Sequence, residues 1–212
     1  MPESHGDKLP QLILASASPR RQELLLQLGF AHWSIPSSID ETSRADESPD
    51  SLVVRLSLEK ASAISESRVA KYCTDEAVDR PEQVVVLGAD TVIDLDSRIL
   101  GKPRDEDDAV HMLISLSEKR HRVITGVTVQ AMAGQSKTIS VASDVQFAPV
   151  SEEAARAYWR TGEPQGKAGG YAIQGMGARF ISHLSGSYSN VVGLPLFETA
   201  QLLEEYGLSA YV

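Results

Sequence analysis

The stretch QLILASASPRRQELLLQLGF (11–30) decides how this chain is read. Its first five residues, QLILA (11–15), are a short apolar run suited to a buried strand. From Ser16 the pattern changes to helical spacing, with Leu24, Leu25 and Leu28 on one face. Ser18 suits an N-cap, Pro19 the first helical position and Gly29 the stop. The stretch therefore reads as strand, turn and helix, the opening of an α/β arrangement.

Outward from it, 31–35 reads as a second strand, and 36–50, rich in Ser, Asp, Glu and Pro, as a loop. The spacing predicts a helix over 51–67. QVVVLGAD (83–90) is a third strand, and TVIDLDSRIL (91–100) a hairpin around Asp96 and Ser97. A helix follows from Asp105 to Leu116, then two β-rich runs, 121–132 and 137–147, separated by AGQS. A helix at 151–160, a glycine-rich loop at 162–170, short strands over 171–192 and a last helix at 195–206 complete the reading. Early alternation of strands and helices, then antiparallel β, predicts an α/β fold with a mixed sheet and a two-lobed shape with a cleft. Residues 1–10 read as a flexible lead-in, and 11–212 as a single domain.

Composition narrows the function. Acidic residues outnumber basic ones by 29 to 20, a net charge of −9, in a chain of 212 residues. A nucleic-acid coat or a membrane-surface binder usually carries the opposite sign, so neither partner is expected, although a local basic site for a small anion is compatible. Cys73, a single cysteine, forms no internal disulfide and builds no cysteine-based zinc site; it reads as a small structural or loop thiol. The start MPESHGDKLP lacks a secretory pattern, and no run reaches the ~18 apolar residues of a membrane span. A cytoplasmic setting is expected.

Seven stretches are candidates for chemistry. Ser16-Ala17-Ser18-Pro19-Arg20-Arg21 puts two hydroxyls and two arginines at a helix start, which favours anions; ordinary capping beside solvated arginines is the alternative. Lys60 lies in the stripe Leu56–Lys60–Ile64 and must either extend to solvent or meet an anion. Gly88-Ala89-Asp90-Thr91 puts a carboxylate at the end of a buried strand, where α/β sheets place ligands; a turn aspartate is the alternative. Asp40-Glu41 offers a further carboxylate, or a solvated loop pair, and Gly101-Lys102-Pro103-Arg104 offers cations at a turn, without Walker A spacing. The glycine-rich Gly166–Gly175 carries Gln174, whose amide both donates and accepts and so suits the edge of a nucleobase. GSYSNVVGLP (186–195) reads as a second glycine-bounded turn and strand. The acidic run 105–108 reads as helix capping rather than a metal cluster, and none of the five histidines has ligand spacing.

In this order, LASASPRRQELLLQLG (14–29), DET (40–42), VVRLSLEKA (53–61), VLGADTV (86–92), LGKPRDEDDAVHML (100–113), GKAGGYAIQG (166–175) and GSYSNVVGLPL (186–196) resemble the Maf family of nucleotide pyrophosphatases. The resemblance implies an inosine triphosphate pyrophosphatase-like (Maf/Ham1) fold, a central mixed twisted sheet flanked by helices with a deep cleft. It implies hydrolysis of a nucleoside triphosphate to the monophosphate and pyrophosphate, a divalent cation (Mg²⁺ or Mn²⁺), and Asp90 as proton acceptor. Arg20, Thr91 and Gln174 occupy three selectivity positions and match the dTTP/UTP branch; the 7-methyl-GTP branch reads SPWRR, GSDQ and SEG there. The one small departure is Gly170, where relatives often carry Ala. On this basis Asp90, Glu41 and Lys60 are expected to be catalytic, with Asp90 and Glu41 as metal ligands. Ser16, Arg20, Arg21, Lys102, Thr91 and Gln174 are expected to bind substrate. The resemblance allows a homodimer, and it leaves a nucleotide-binding regulator of cell division and septum formation as the competing class.

Overall fold

The computed structural model describes residues 11–72, 84–132 and 134–209. The lead-in 1–10 and Cys73 lie outside the described residues. Strand β1 (Gln11–Leu14) leads into α1 (Pro19–Gln27), followed by β2 (Trp33–Ser34). Helices α2 (Pro49–Ser62) and α3 (Glu66–Tyr72) precede the hairpin of β3 (Val84–Leu95) and β4 (Arg98–Leu100). Next come α4 (Glu106–Leu116), the long hairpin β5 (Arg120–Ala131) and β6 (Ser136–Phe147), and α5 (Glu152–Trp159). The chain ends with β7 (Ile181–Ser185), α6 (Tyr188–Val192) and α7 (Leu196–Glu204).

One mixed sheet carries the fold, in the order β2-β1-β3-β5-β6-β7, with β4 on β3. β1 pairs in parallel with β2 and β3, and the remaining pairs are antiparallel. The β3–β4 hairpin turns where the sequence puts it, with Asp96 and Ser97 both in the left-handed region. In α4, the Asp105 side chain accepts from the Asp108 N–H, so the acidic run caps a helix as expected.

Helix α2 lies so close to the sheet that two strand positions exclude a side chain. A Cβ on Gly88 of β3 would overlap the Ser57 carbonyl oxygen, and one on Gly126 of β5 the Val53 carbonyl oxygen. Gly126 is the cross-strand partner of Asp90. The two glycines thus let α2 settle onto the sheet beside Asp90, which is what brings Lys60 to that carboxylate. One apolar cluster packs α1 and α7 on the sheet through Leu25, Leu87, Leu194 and Leu203, and a second packs α4 and α5 through Leu113, Leu116, Phe147 and Tyr158.

Three sequence expectations are corrected. The helix read over 51–67 stops at Ser62 and α3 begins at Glu66, with the Ser65 carbonyl accepting from the Arg68 and Val69 N–H groups. The segment 171–192 holds a single strand, β7, rather than several. Backbone N–H groups at Ala172, Met176 and Gly177 bond side chains instead of a ladder. Finally, GSYSNVVGLP forms the short helix α6 rather than a strand, because Ser187 caps the Asn190 N–H and the Asn190 side chain donates to the Val123 carbonyl and Ser143 Oγ.

Candidate active site

A cleft of about 940 Å³ opens beside the middle of β3. Asp90 does not end a strand, as the sequence suggested, but lies within β3, which runs on unbroken to Leu95 because its ladder with β5 continues on both sides of the Asp90–Gly126 pair. All nine residues singled out from the sequence line it: Ser16, Arg20, Arg21, Glu41, Lys60, Asp90, Thr91, Lys102 and Gln174. The cleft takes one part of its wall from the α1 entry and another from the glycine-rich loop after α5.

At its centre Lys60 Nζ donates to Asp90 Oδ1 at 2.6 Å and pairs with Glu41 Oε1 at 2.7 Å. Lys102 Nζ meets the other Glu41 oxygen at 2.9 Å. The result is a ladder of alternating charge, Asp90–Lys60–Glu41–Lys102, assembled from a strand, a helix, a loop and a turn. Asp90 and Lys60 are buried, at 7% and 6% exposure. Removing Lys60 would strand the buried Asp90 carboxylate, whereas removing Asp90 leaves Lys60 paired with Glu41. Burial alone would raise the Glu41 carboxyl, but hydrogen bonds from Lys60 and Lys102 outweigh it and hold it at about 2. Glu41 is itself delivered by a brace: Arg55 on α2 donates to both oxygens of Glu47 at 2.6 and 2.7 Å and to the Thr42 carbonyl at 3.1 Å.

The α1 entry forms the next part of the wall. Ser18 occupies the N-cap position, but its side chain makes no capping bond; Ser16 Oγ accepts the Ser18 N–H at 3.1 Å instead. Helices α2, α4 and α5 each carry acidic residues in the first turn, as the helix dipole favours, whereas α1 has none and carries Arg20 and Arg21. Positive groups at the positive end of a helix are mildly unfavourable on their own and favour a nearby anion. The two arginines differ in what they touch. Arg21 is committed to the protein, donating from Nε to the Gly193 carbonyl at 2.8 Å and from Nη2 to Thr91 Oγ1 at 3.0 Å. Burial lowers its affinity for its proton, and Asp90 counters that. Among the described residues Arg20 has no such tie, and its Nε is buried without a partner.

Gln174 is exposed at the cleft on the glycine-rich loop and makes no hydrogen bond to the rest of the described chain. Two residues that the sequence reading passed over stand beside it. Lys167 lines the cleft, and both burial and the nearby Arg20 lower its pKa. Glu163 also lines it and binds the loop backbone. For Lys167 the signal in the sequence was a cation inside the glycine-rich run; for Glu163 it was an acid between Gly162 and Pro164, at the entrance to that run. Of Gly101-Lys102-Pro103-Arg104, only Lys102 joins the ladder; Arg104 pairs with Asp108 at the surface.

Among the described residues no group of three or more His, Cys, Asp or Glu side chains is placed to hold a metal ion. The donor set that does converge, Asp90 and Glu41 on one ammonium, supplies two hard oxygen ligands. That suits Mg²⁺ or Mn²⁺, whose remaining positions are commonly filled by water and substrate phosphate.

An open mixed sheet flanked by helices, with charged side chains gathered in a cleft over the middle of a strand, defines an α/β protein with a polar ligand-sized site. Residues 11–206 match the Maf-like protein family, and the chain belongs to it. It is 46% identical to the dTTP/UTP pyrophosphatase of Vibrio parahaemolyticus, over 92% of this chain and 96% of that one. It is 47% identical to the dTTP/UTP pyrophosphatase of Alkalilimnicola ehrlichii, over 93% of each. A nucleoside-triphosphatase / dITP/XTP pyrophosphatase from Mycobacterium abscessus is a distant structural likeness, with a TM-score of 0.40 and 13% identity over 65% of this chain and 74% of that one. Among the described residues no helix is long and apolar enough to cross a membrane.

Proposed function

We propose that this chain is a nucleoside triphosphate pyrophosphatase that hydrolyses dTTP and UTP to the monophosphate and pyrophosphate. The observation that carries this reading is the burial of Asp90 against Lys60 in the same cleft as Gln174, in a chain collinear with dTTP/UTP pyrophosphatases over nearly its whole length. The matched residues 11–206 are read with the remaining C-terminal residues as one domain, 11–212.

In the reaction, a water oxygen forms a bond to the α-phosphorus while the bond from that phosphorus to the α,β-bridging oxygen breaks. The bridging oxygen leaves with the electron pair as part of pyrophosphate, and the proton lost by water passes to the Asp90 carboxylate. Lys60 holds Asp90 and Glu41 aimed, so the base is in place before substrate arrives. A divalent cation held by Asp90 and Glu41 would supply charge neutralisation at the phosphates. Arg20, Lys102 and the free N–H groups of α1 face the polyanion, and Ser16 and Arg21 fix the shape of that wall. Gln174 and Thr91 meet the base, for which a neutral amide offers both a donor and an acceptor. Dependence on Mg²⁺ or Mn²⁺, work on the cytoplasmic nucleotide pool and a homodimeric state belong to the same proposal.

The test is pyrophosphate release by the purified protein with Mn²⁺ across a panel of triphosphates. Release from dTTP and UTP above 7-methyl-GTP supports the reading. Tight nucleotide binding with no release would replace it by a nucleotide-binding regulator, and preference for 7-methyl-GTP would move the chain to the other branch.

A further inference from the structure

We propose that Glu163 and Tyr158 form a clamp that positions the base-reading loop, making Glu163 a positioning residue for selectivity. The inference rests on the reading of Gln174 as the base-contacting side chain. Gln174 lies within a short segment fixed on both of its flanks by one hydrogen-bonded pair. On the N-terminal flank, the Ala172 N–H donates to the Tyr158 hydroxyl at 3.1 Å. That hydroxyl donates in turn to Glu163 Oε1 at 2.5 Å. On the C-terminal flank, the same carboxylate accepts the Gly177 N–H on Oε1 at 2.9 Å and the Met176 N–H on Oε2 at 2.8 Å. Gln174 is therefore suspended between two anchor points that share one carboxylate.

The loop's sequence is fitted to this pair. Gly175 has a negative φ of −125°, outside the left-handed region, yet a Cβ there would run into the Glu163 carboxylate. A Cβ on Gly177 would meet the Tyr158 hydroxyl and the Ala172 carbonyl. The clamp is itself anchored in the core: Tyr158 sits on α5 with its ring edge-to-face on Phe180, centroids 5.2 Å apart. Burial alone would raise the Glu163 carboxyl, but the Tyr158 hydroxyl and the two N–H groups outweigh it and keep it below its ordinary value. The acceptor is thus ionised throughout the neutral range.

A Glu163→Gln side chain cannot reproduce the pattern. Whichever way its amide turns, the NH₂ faces either the Met176 N–H or the Tyr158–Gly177 donors, so at least one of the two bonds that hold the C-terminal flank is lost. Hydrogen bonds to charged groups fall in a range that corresponds to about tenfold or more in a binding constant. Calorimetry with two probes reads the consequence: α,β-methylene-UTP, which carries the base, and inorganic tripolyphosphate, which does not. E163Q is expected to weaken the nucleotide analogue about tenfold while tripolyphosphate stays within about twofold. Y158F should weaken the analogue in the same direction, and E163D should recover part of the loss. In turnover of UTP, the deficit should fall on KM more than on kcat.

Equal losses for both probes, or undiminished analogue binding in E163Q and Y158F, would overturn the proposal, and so would a wild type that does not prefer the analogue. If E163Q does not fold, Y158F alone decides between these outcomes. Pyrophosphate release by the wild type is scored separately: a protein that prefers the analogue, loses that preference in the variants and releases no pyrophosphate fails as an enzyme and keeps its clamp.

Discussion

The two ends of the cleft are built on opposite plans. At the β3 end, charge is met by charge: Asp90, Lys60, Glu41 and Lys102 are linked at 2.6, 2.7 and 2.9 Å, and each long side chain has a partner in the protein. At the glycine-loop end the backbone is tied down through Glu163 and Tyr158, while the side chains that face the cleft are left open. Among the described residues Gln174 has no hydrogen-bond partner, Arg20 keeps a buried Nε without one, and Lys167 forms no ion pair. The first end is finished before a ligand comes and is suited to chemistry, where preorganised groups avoid reorganisation at the moment of reaction. The second end keeps its hydrogen-bonding capacity in reserve and is suited to recognition.

Asp90→Asn is the most severe way to break the first plan. The amide cannot take a proton from water, and it also leaves Lys60 with Glu41 as its one carboxylate partner. General-base help is typically worth about 10²–10⁴-fold, so kcat should fall by that much with the fold retained. Rates of pyrophosphate release and a circular dichroism melt check both halves; wild-type turnover in D90N would remove Asp90 from the role.

The next effect is on stability and lies under the recognition end. His121 is buried against Phe147 and shares a 2.8 Å hydrogen bond with the hydroxyl of Tyr171, the residue that precedes Ala172. Burial pushes its imidazole down to about 4, against a weaker pull from Asp144. Between pH ~6.5 and ~4 the unfolded chain therefore binds a proton that the folded chain refuses, so stability rises with pH across that window and is lost as pH falls through it. The contribution is about 3 kcal/mol. Urea midpoints at neutral pH and at the acid end of the window, in wild type and H121F, isolate it: the stability of wild type relative to H121F should fall toward acid. A constant difference would show that His121 titrates alike in both states.

Gln174→Glu sharpens the comparison at the other end. A carboxylate only accepts, whereas the amide also donates. UTP should lose to 7-methyl-GTP by about tenfold in the ratio of turnover, with the Asp90 ladder untouched. An unchanged ratio would take Gln174 out of base selection.

Both plans were unequally visible in the sequence. The turn from QLILA into the α1 helix, the Asp96–Ser97 turn and the Asp105 cap depend on local backbone preference, and local preference is what short stretches encode. The chemistry-bearing residues were visible as types in a recurring order, and the cleft gathers them. The partners were hidden, because they come from distant elements: Arg21 is 172 residues from the Gly193 carbonyl it binds, and Arg55 reaches back to brace the Glu41 loop. The misread segment 171–192 shows the same cause. Its apolar alternation suggests strands, but Tyr158, Glu163 and Ser187 take the N–H groups that a ladder would need.

Lys102→Gln gives the smallest expected change and separates function from stability at the paired end. Lys102 is 61% exposed, and its bond to Glu41 is a surface ion pair of the kind worth about 0–1 kcal/mol. Glu41 keeps Lys60, so the carboxylate stays aimed, and the melting temperature should scarcely move. Loss of a cation that faces the phosphates should still raise KM for UTP several-fold, and the gap between variant and wild type should narrow as salt screens the exposed charge. A KM that stays at the wild-type value at low salt would mean that Lys102 serves only to hold Glu41, and that the ladder's outer rung faces no phosphate.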